Sequence, residues 1–89
     1  MKFRDFLKEE LKDEEFRKIY EKDKIMYDII SQTIAERNKQ NLTQEDLAKR
    51  METKQASISR FENGNTNPSL EFLIKLAESL GKKLEIKFV

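Results

Sequence analysis

A run of polar side chains between positions 54 and 60 carries the chemistry that this sequence offers most clearly. Glutamine can pair bidentately with adenine, arginine can pair with guanine, and an alanine methyl can pack on the thymine methyl. The run holds one of each, Gln55, Ala56 and Arg60, together with Lys54 and Ser59. No acidic residue occurs from position 54 to position 61, although the chain has 17. The pattern favours a surface that reads DNA bases, but the polar side of an ordinary helical hairpin would have a similar composition.

The overall composition narrows the classes of function. Cysteine and histidine are absent from the 89 residues, which excludes disulfides, thiolate metal sites, cysteine nucleophiles and histidine general bases. We therefore expect no cofactor, no metal and no enzymatic activity. The 18 basic and 17 acidic residues leave a net charge of +1, too small to coat nucleic acid by overall charge. We find no apolar run of membrane-spanning length and no signal-peptide pattern, so we expect a cytoplasmic protein.

Two short helices joined by a tight connection would hold the polar run. Thr43 followed by Asp46 predicts a capping box at the start of the first helix, residues 43–51, and Thr53 predicts the cap of the second, residues 54–63. The letters N-G-N at 63–65 are typical of a helix end. Apolar positions recur at helical spacing in both, at Leu47, Ala48, Met51, Ile58 and Phe61. Two short helices this close together predict a helix-turn-helix.

The flanking segments predict further helices, because only two glycines and one proline interrupt the chain. Isoleucines at 25, 29, 30 and 34 predict a helix up to about residue 39, which Asn41 would stop. After Pro68, Ser69 would cap an amphipathic helix that Gly81 terminates. Its apolar positions are Leu70, Phe72, Leu73, Leu76, Ala77 and Leu80. We assign residues 25–81 to one mainly α domain.

The segment 1–24 precedes this domain and mixes charges with large apolar side chains. The spacing predicts a short helix at its start and a second short helix capped by Asp13. Left uncovered, the apolar residues would form an adhesive patch. We expect them to dock a partner protein, although they could instead fold back and complete the core. They are Phe3, Phe6, Leu7, Leu11, Phe16 and Tyr20.

The last residues, 82–89, alternate between apolar and charged side chains, which predicts one short β-strand. Leu84, Ile86 and Phe88 would lie on its apolar side. A single strand cannot satisfy its own backbone groups. We therefore expect this strand to dimerise the chain by pairing with its copy, or to pair with the edge of a partner's sheet. A two-fold dimer would also place two reading helices on a palindromic operator.

The central motifs resemble the Cro/C1 (Xre-type) helix-turn-helix family. The resemblance covers about residues 33–81, through L-T-Q-E-D-L-A-K-R-M, Q-A-S-I-S-R-F-E-N-G and N-P-S-L-E-F-L-I-K-L-A-E-S-L-G. It implies a lambda-repressor-like helical fold in which Gln44 braces a phosphate and touches the reading side chains. It also implies base contacts from Gln55, Ala56 and Arg60. Further backbone contacts would come from main-chain amides near 63–65 and from Ser57, Asn63, Asn65 and Asn67.

Two positions bear on how well the chain fits that family. Arg37 and Glu62 match positions that form an ion pair between the first helix of the domain and the end of the reading helix. Position 52, in the turn, is usually glycine in the family and is glutamate here. A left-handed residue other than glycine costs roughly 1 kcal/mol, so Glu52 predicts either a strained turn or a changed one.

The chain as a whole is similar to the HigA-type antitoxin family. The similarity rests on L-K-D-E-E-F-R-K-I-Y-E, then the central motifs, then the terminal L-E-I-K-F. It implies that the protein neutralises a HigB toxin, an mRNA endonuclease of the RelE superfamily, and represses its own operon. Residues 1–24 would then contact the toxin. Two alternatives are a stand-alone repressor without a toxin, and an interaction module whose helix-turn-helix no longer reads DNA.

Overall fold

The computed structural model describes residues 14–89, with side chains from residue 21 onward. This part of the chain contains four helices, which we number α1 (Glu14–Lys39), α2 (Gln44–Arg50), α3 (Gln55–Glu62) and α4 (Leu70–Ser79). The prediction of a mainly α helix-turn-helix fold is confirmed. None of these helices is long and apolar enough to cross a membrane.

Helix α1 is one continuous element of 26 residues, where the sequence predicted a short helix followed by a second helix. Neither glycine nor proline occurs between positions 14 and 39, so nothing interrupts the backbone hydrogen bonding. The domain boundary placed after residue 24 falls inside this helix. At 1.5 Å per residue, α1 is roughly 39 Å long, which makes it the longest described element.

Each of the four helices ends in the same hydrogen-bonded motif. A residue with positive φ follows the helix, and the next N–H donates to the carbonyl five residues earlier, as in a Schellman motif. Leu42 donates to Arg37 at 2.9 Å and Thr53 to Ala48 at 2.9 Å. The residues with positive φ are Asn41, Glu52, Gly64 and Gly81. The predicted stops at Asn41, Gly64 and Gly81 are therefore confirmed.

The core lies where α2, α3 and α4 meet α1. Its buried residues are Leu47, Ala48, Met51, Ile58, Phe61, Leu76 and Leu80, as the apolar spacing predicted. Phe61 and Phe72 join α3 to α4, with ring centroids 5.3 Å apart and planes tilted by 53°. Two positions assigned to apolar faces are mainly exposed instead, because their sides of the helices meet nothing in the described chain: Ile25 at 62% and Leu70 at 56%.

The tail after Gly81 forms neither helix nor strand, and the predicted β-strand, which needs a second copy or a partner's sheet to pair with, stays a prediction. A strand is defined by hydrogen bonds to a neighbouring strand, and the described residues 14–89 offer none. Leu84 is half-buried. Ile86 and Phe88 are exposed, Phe88 fully. The alternating pattern is present, but residues 14–89 give it no partner strand.

Candidate nucleic-acid interface

A capping box fixes the start of α2. The Asp46 N–H donates to Thr43 Oγ1 at 3.0 Å, and the Thr43 N–H donates to Asp46 Oδ2 at 2.9 Å. This matches the predicted arrangement and satisfies two donors that a helix start leaves unpaired. The Thr43 N–H also lowers the pKa of the Asp46 carboxyl below its usual value. The box sets the position of Gln44, the first residue of α2.

The turn between α2 and α3 contains a glutamate in the left-handed conformation. Glu52 has φ +55°, the value that glycine adopts at little cost. The Schellman bonds at the end of α2 impose this conformation, since the N–H groups of Glu52 and Thr53 both donate to α2 carbonyls. Of the two outcomes predicted for Glu52, the structure thus has the strained turn.

The predicted cap at Thr53 is wrong, because the capping position of α3 is Lys54. Thr53 still belongs to the end of α2, where its N–H bonds to Ala48. Lys54 has extended backbone and makes no side-chain hydrogen bond to the helix. Its ammonium group is therefore free of any capping role at the start of α3.

A buried polar network ties α1, α2 and α3 together. Glu62 accepts from Arg37 Nε at 2.9 Å, from Arg37 Nη2 at 2.9 Å and from Gln44 Nε2 at 3.0 Å. The side chains of Arg37 and Glu62 are 14% and 4% exposed. A further donor of the guanidinium, Nη1, reaches the Leu42 carbonyl at 2.9 Å. This bidentate pair fixes the end of α3 against the two helices before it.

The network gives the Gln44 side chain a partner that the sequence did not predict. The family resemblance implied that its side chain braces a phosphate and touches the reading residues, whereas here its amide donates to Glu62 and the residue is half-buried. A single sequence gives no signal for this bond, because positions 44 and 62 lie 18 residues apart.

Helix α3 has one buried side and one exposed side. Ile58 and Phe61 are 0% exposed and anchor it in the core. Lys54, Gln55, Ala56 and Arg60 are exposed, while Ser57 and Ser59 are half-buried. The exposed side thus brings together a glutamine, an alanine and an arginine, which can contact adenine, the thymine methyl and guanine respectively. No acidic side chain interrupts it before Glu62, whose carboxylate is buried in the network.

The loop after α3 exposes three asparagines. Asn63, Asn65 and Asn67 are all exposed, and Asn63 Nδ2 donates to Ser59 Oγ at 3.5 Å. The expectation that main-chain amides at 63–65 meet phosphate is not met in this chain. The N–H groups of residues 63, 64 and 65 all donate to α3 carbonyls, so only the side chains of the asparagines are available.

A shallow groove of about 240 Å³ runs between α3 and the start of α4. Ser69 caps α4 as predicted, accepting from the Phe72 N–H at 3.0 Å. The groove presents several hydroxyl groups and one guanidinium, which can donate hydrogen bonds to the phosphate oxygens of a nucleic-acid backbone. Its lining residues are Thr53, Ser57, Arg60, Thr66, Pro68, Ser69 and Phe72.

The residues predicted to dock a partner protein lie wholly or partly outside the described part of the chain. Phe3, Phe6, Leu7 and Leu11 lie outside residues 14–89, and Phe16 and Tyr20 lie in α1 with side chains outside the described part. No group of three or more acidic residues that could hold a metal ion occurs among the residues described.

The fold and the exposed side of α3 are those of a helix-turn-helix protein, and comparison with known families gives the same class. A family model described as Helix-turn-helix matches residues 34–87. The chain belongs to this helix-turn-helix family.

Individual relatives fit the same family. The chain is 41% identical over 58 residues to an uncharacterised HTH-type transcriptional regulator of Haemophilus influenzae, a match that covers 65% of this chain and 59% of the relative. It is 43% identical over 49 residues to another from Methanocaldococcus jannaschii, covering 55% and 74%. The match thus spans about three fifths of the Haemophilus protein's length.

One solved structure resembles the chain over its whole length. It is a chain of a toxin–antitoxin module from Streptococcus pneumoniae, with a TM-score of 0.68 and 31% sequence identity. The match covers 100% of this chain and 93% of the other.

Proposed function

We propose that this protein is a DNA-binding transcriptional regulator that reads an operator with α3. The observation that carries the proposal is the exposed side of α3, where Gln55, Ala56 and Arg60 lie in a stretch, residues 54–61, without an acidic residue, while Ile58 and Phe61 anchor the helix. The buried pair of Arg37 and Glu62 keeps α3 in place, so that little conformational freedom of the helix is lost on binding.

In this proposal the base contacts come from Gln55, Ala56 and Arg60 in a major groove. The remaining polar groups around α3 contact the sugar-phosphate backbone and set the register of the protein on the duplex. These are Gln44, Lys54, Ser57, Ser59, Asn63, Asn65 and Asn67. Gln44 would keep its bond to Glu62 and offer its amide oxygen or its second amide hydrogen.

The test is a binding assay with DNA from the promoter of the protein's own operon and with scrambled DNA of equal length. Gln55→Ala combined with Arg60→Ala should abolish the preference for the operator, since each good base contact contributes about 1–3 kcal/mol. Gln32→Ala combined with Lys24→Ala is the matched control, because both residues are exposed on α1. Unchanged operator preference in the α3 variant would refute the assignment.

We further propose that the regulator acts as a homodimer on a palindromic operator. The apolar side chains of the tail support this, since Leu84, Ile86 and Phe88 alternate with charges and have no strand to pair with in the described chain. Ile86 and Phe88 are exposed. Pairing of two tails would satisfy their backbone groups. Removal of residues 83–89 should then weaken operator binding without changing which sequence is preferred.

We propose in addition that the protein is an antitoxin that neutralises a HigB/RelE-like toxin through residues 1–24. The full-length likeness to a chain of a toxin–antitoxin module favours this, because the helix-turn-helix family accounts only for residues 34–87. Deletion of residues 1–22 should leave operator binding intact and abolish protection of cells that express the toxin. Protection by the truncated protein would refute the docking role of the segment.

The alternative function is a stand-alone Xre-type repressor. The relatives from Haemophilus influenzae and Methanocaldococcus jannaschii, described only as transcriptional regulators, favour it. Native mass spectrometry of the protein purified from its own operon separates the two. A stoichiometric complex with a small protein supports the antitoxin, and a bare homodimer supports the stand-alone repressor.

A further inference from the structure

Two large apolar side chains stand exposed beside each other on α4. Leu70 and Ile74 are 56% and 41% exposed, and because they are four residues apart they lie on the same side of the helix. The opposite side of α4 packs into the core through Phe72, Leu73 and Leu76. The helix therefore presents apolar groups both to the core and to solvent.

Two opposite charges flank this exposed pair on one side. Glu71 and Lys75 follow Leu70 and Ile74 by one position each, and both are exposed. Neither forms a salt bridge with any other residue in the described part of the chain. The outer face of α4 thus has an apolar row of two residues and, parallel to it, a row of one acid and one base.

We propose that this face of α4 docks on the same face of a second copy of the chain, with the two helices antiparallel about a two-fold axis. The axis crosses between positions 70 and 74, so that Leu70 of each copy meets Ile74 of the other. About such an axis, the side of α4 that carries the acid and the base in one copy lies next to the same side in the other copy. Glu71 of each copy therefore faces Lys75 of the other, and the charge pattern complements itself twice.

The same register also places Glu78, the second acidic residue on the outer side of α4, in a favourable position. Glu78 would lie opposite positions 66–68 of the second copy, just before that copy's helix begins. A carboxylate is favoured there, because the start of a helix carries a partial positive charge. A parallel pair about a two-fold axis would place the charged rows of the two copies on opposite sides of the interface, so Glu71 and Lys75 would not meet.

The face is one part of the dimer interface and works together with the tail. Stable interfaces bury about 1,200–2,000 Å² in total, which is more than two side chains per copy supply. The tail offers further apolar surface at Ile86 and Phe88. This inference rests on the proposed homodimer and assigns it a second contact, which sets the spacing of the two α3 helices.

Sedimentation equilibrium on the full chain tests the reciprocal charges. Glu71→Lys and Lys75→Glu each make both facing pairs repulsive, so either variant alone should raise the dimer dissociation constant about tenfold. An equimolar mixture of the two variants should form a heterodimer, because opposite charges then face each other. The variant with both exchanges should dimerise within about threefold of the parent protein.

Ile74→Asp tests the apolar row, and it should abolish dimers at concentrations where the parent protein is dimeric. Ile25→Asp is its matched control, since Ile25 is an exposed isoleucine on α1. Circular dichroism checks that each variant is folded. A dimer that neither single charge change weakens overturns the α4 contact but leaves a dimer through the tail. A parent protein that is monomeric at all concentrations overturns the α4 contact and the proposed homodimer together.

Discussion

Replacement of Glu62 by alanine should be the most destabilising single change among the polar residues of α3. The carboxylate accepts three hydrogen bonds, two of them from the Arg37 guanidinium. Its loss leaves the Arg37 charge 14% exposed and without its carboxylate. Removal of one partner from a buried pair costs about 3–5 kcal/mol, because the remaining charge stays desolvated. A loss of this size is a large fraction of the stability of any small domain.

Urea denaturation followed by circular dichroism measures this cost as a change in the free energy of unfolding. Thermal denaturation should agree, since the melting temperature falls by about 4–8 °C for each kcal/mol of lost stability in a domain of this size. The exposed pair of Glu45 and Lys49 is the matched control, with side chains 65% and 75% exposed and 3.7 Å apart. Glu45→Ala should change the free energy of unfolding by less than about 0.5 kcal/mol.

A double variant separates the charge from the packing. Arg37→Met combined with Glu62→Leu removes both charges and keeps most of the volume, so it should be far more stable than Glu62→Ala. A cost below about 1 kcal/mol for Glu62→Ala would refute the reasoning, because it would mean that water reaches the pair and screens it. A double variant as unstable as Glu62→Ala would place the cost in packing rather than in the stranded charge.

Three smaller predictions follow from the helix ends. Glu52→Gly should stabilise the protein by about 1 kcal/mol by relieving the positive φ, whereas Glu52→Ala should not; urea denaturation of both checks this. Ser69→Ala should cost about 1 kcal/mol by the same measurement, since it removes the cap of α4. The pKa of Asp46 is lower in the folded protein than in the unfolded chain. The ionised carboxylate therefore stabilises the fold fully above the unfolded pKa of about 3.9, and this stabilisation is lost as the pH falls through the lower pKa of the folded protein. An acid titration of Asp46→Asn should therefore show a shallower loss of stability below pH 4 than the parent protein.

Most local hydrogen-bonding patterns could be predicted from the sequence, the cap expected at Thr53 being the exception. The capping box of Thr43 and Asp46, the cap at Ser69 and the stops at Asn41 and Gly81 all depend on residues within six positions of one another. The buried positions of α2 and α3 also followed from spacing, because an apolar stripe on a short amphipathic helix has only one side to bury. The exposed side of α3 followed in turn from its buried side.

Tertiary structure decided the features that depend on distant groups. The sequence alone predicted a strand at 82–89, but a strand requires a partner that the described chain does not provide. Leu70 has the apolar character of a core residue, yet the packing of α4 turns it toward solvent. Gln44 gives its amide to Glu62, 18 residues away. Spacing reports which side of a helix is apolar, whereas only the arrangement of helices determines what that side meets.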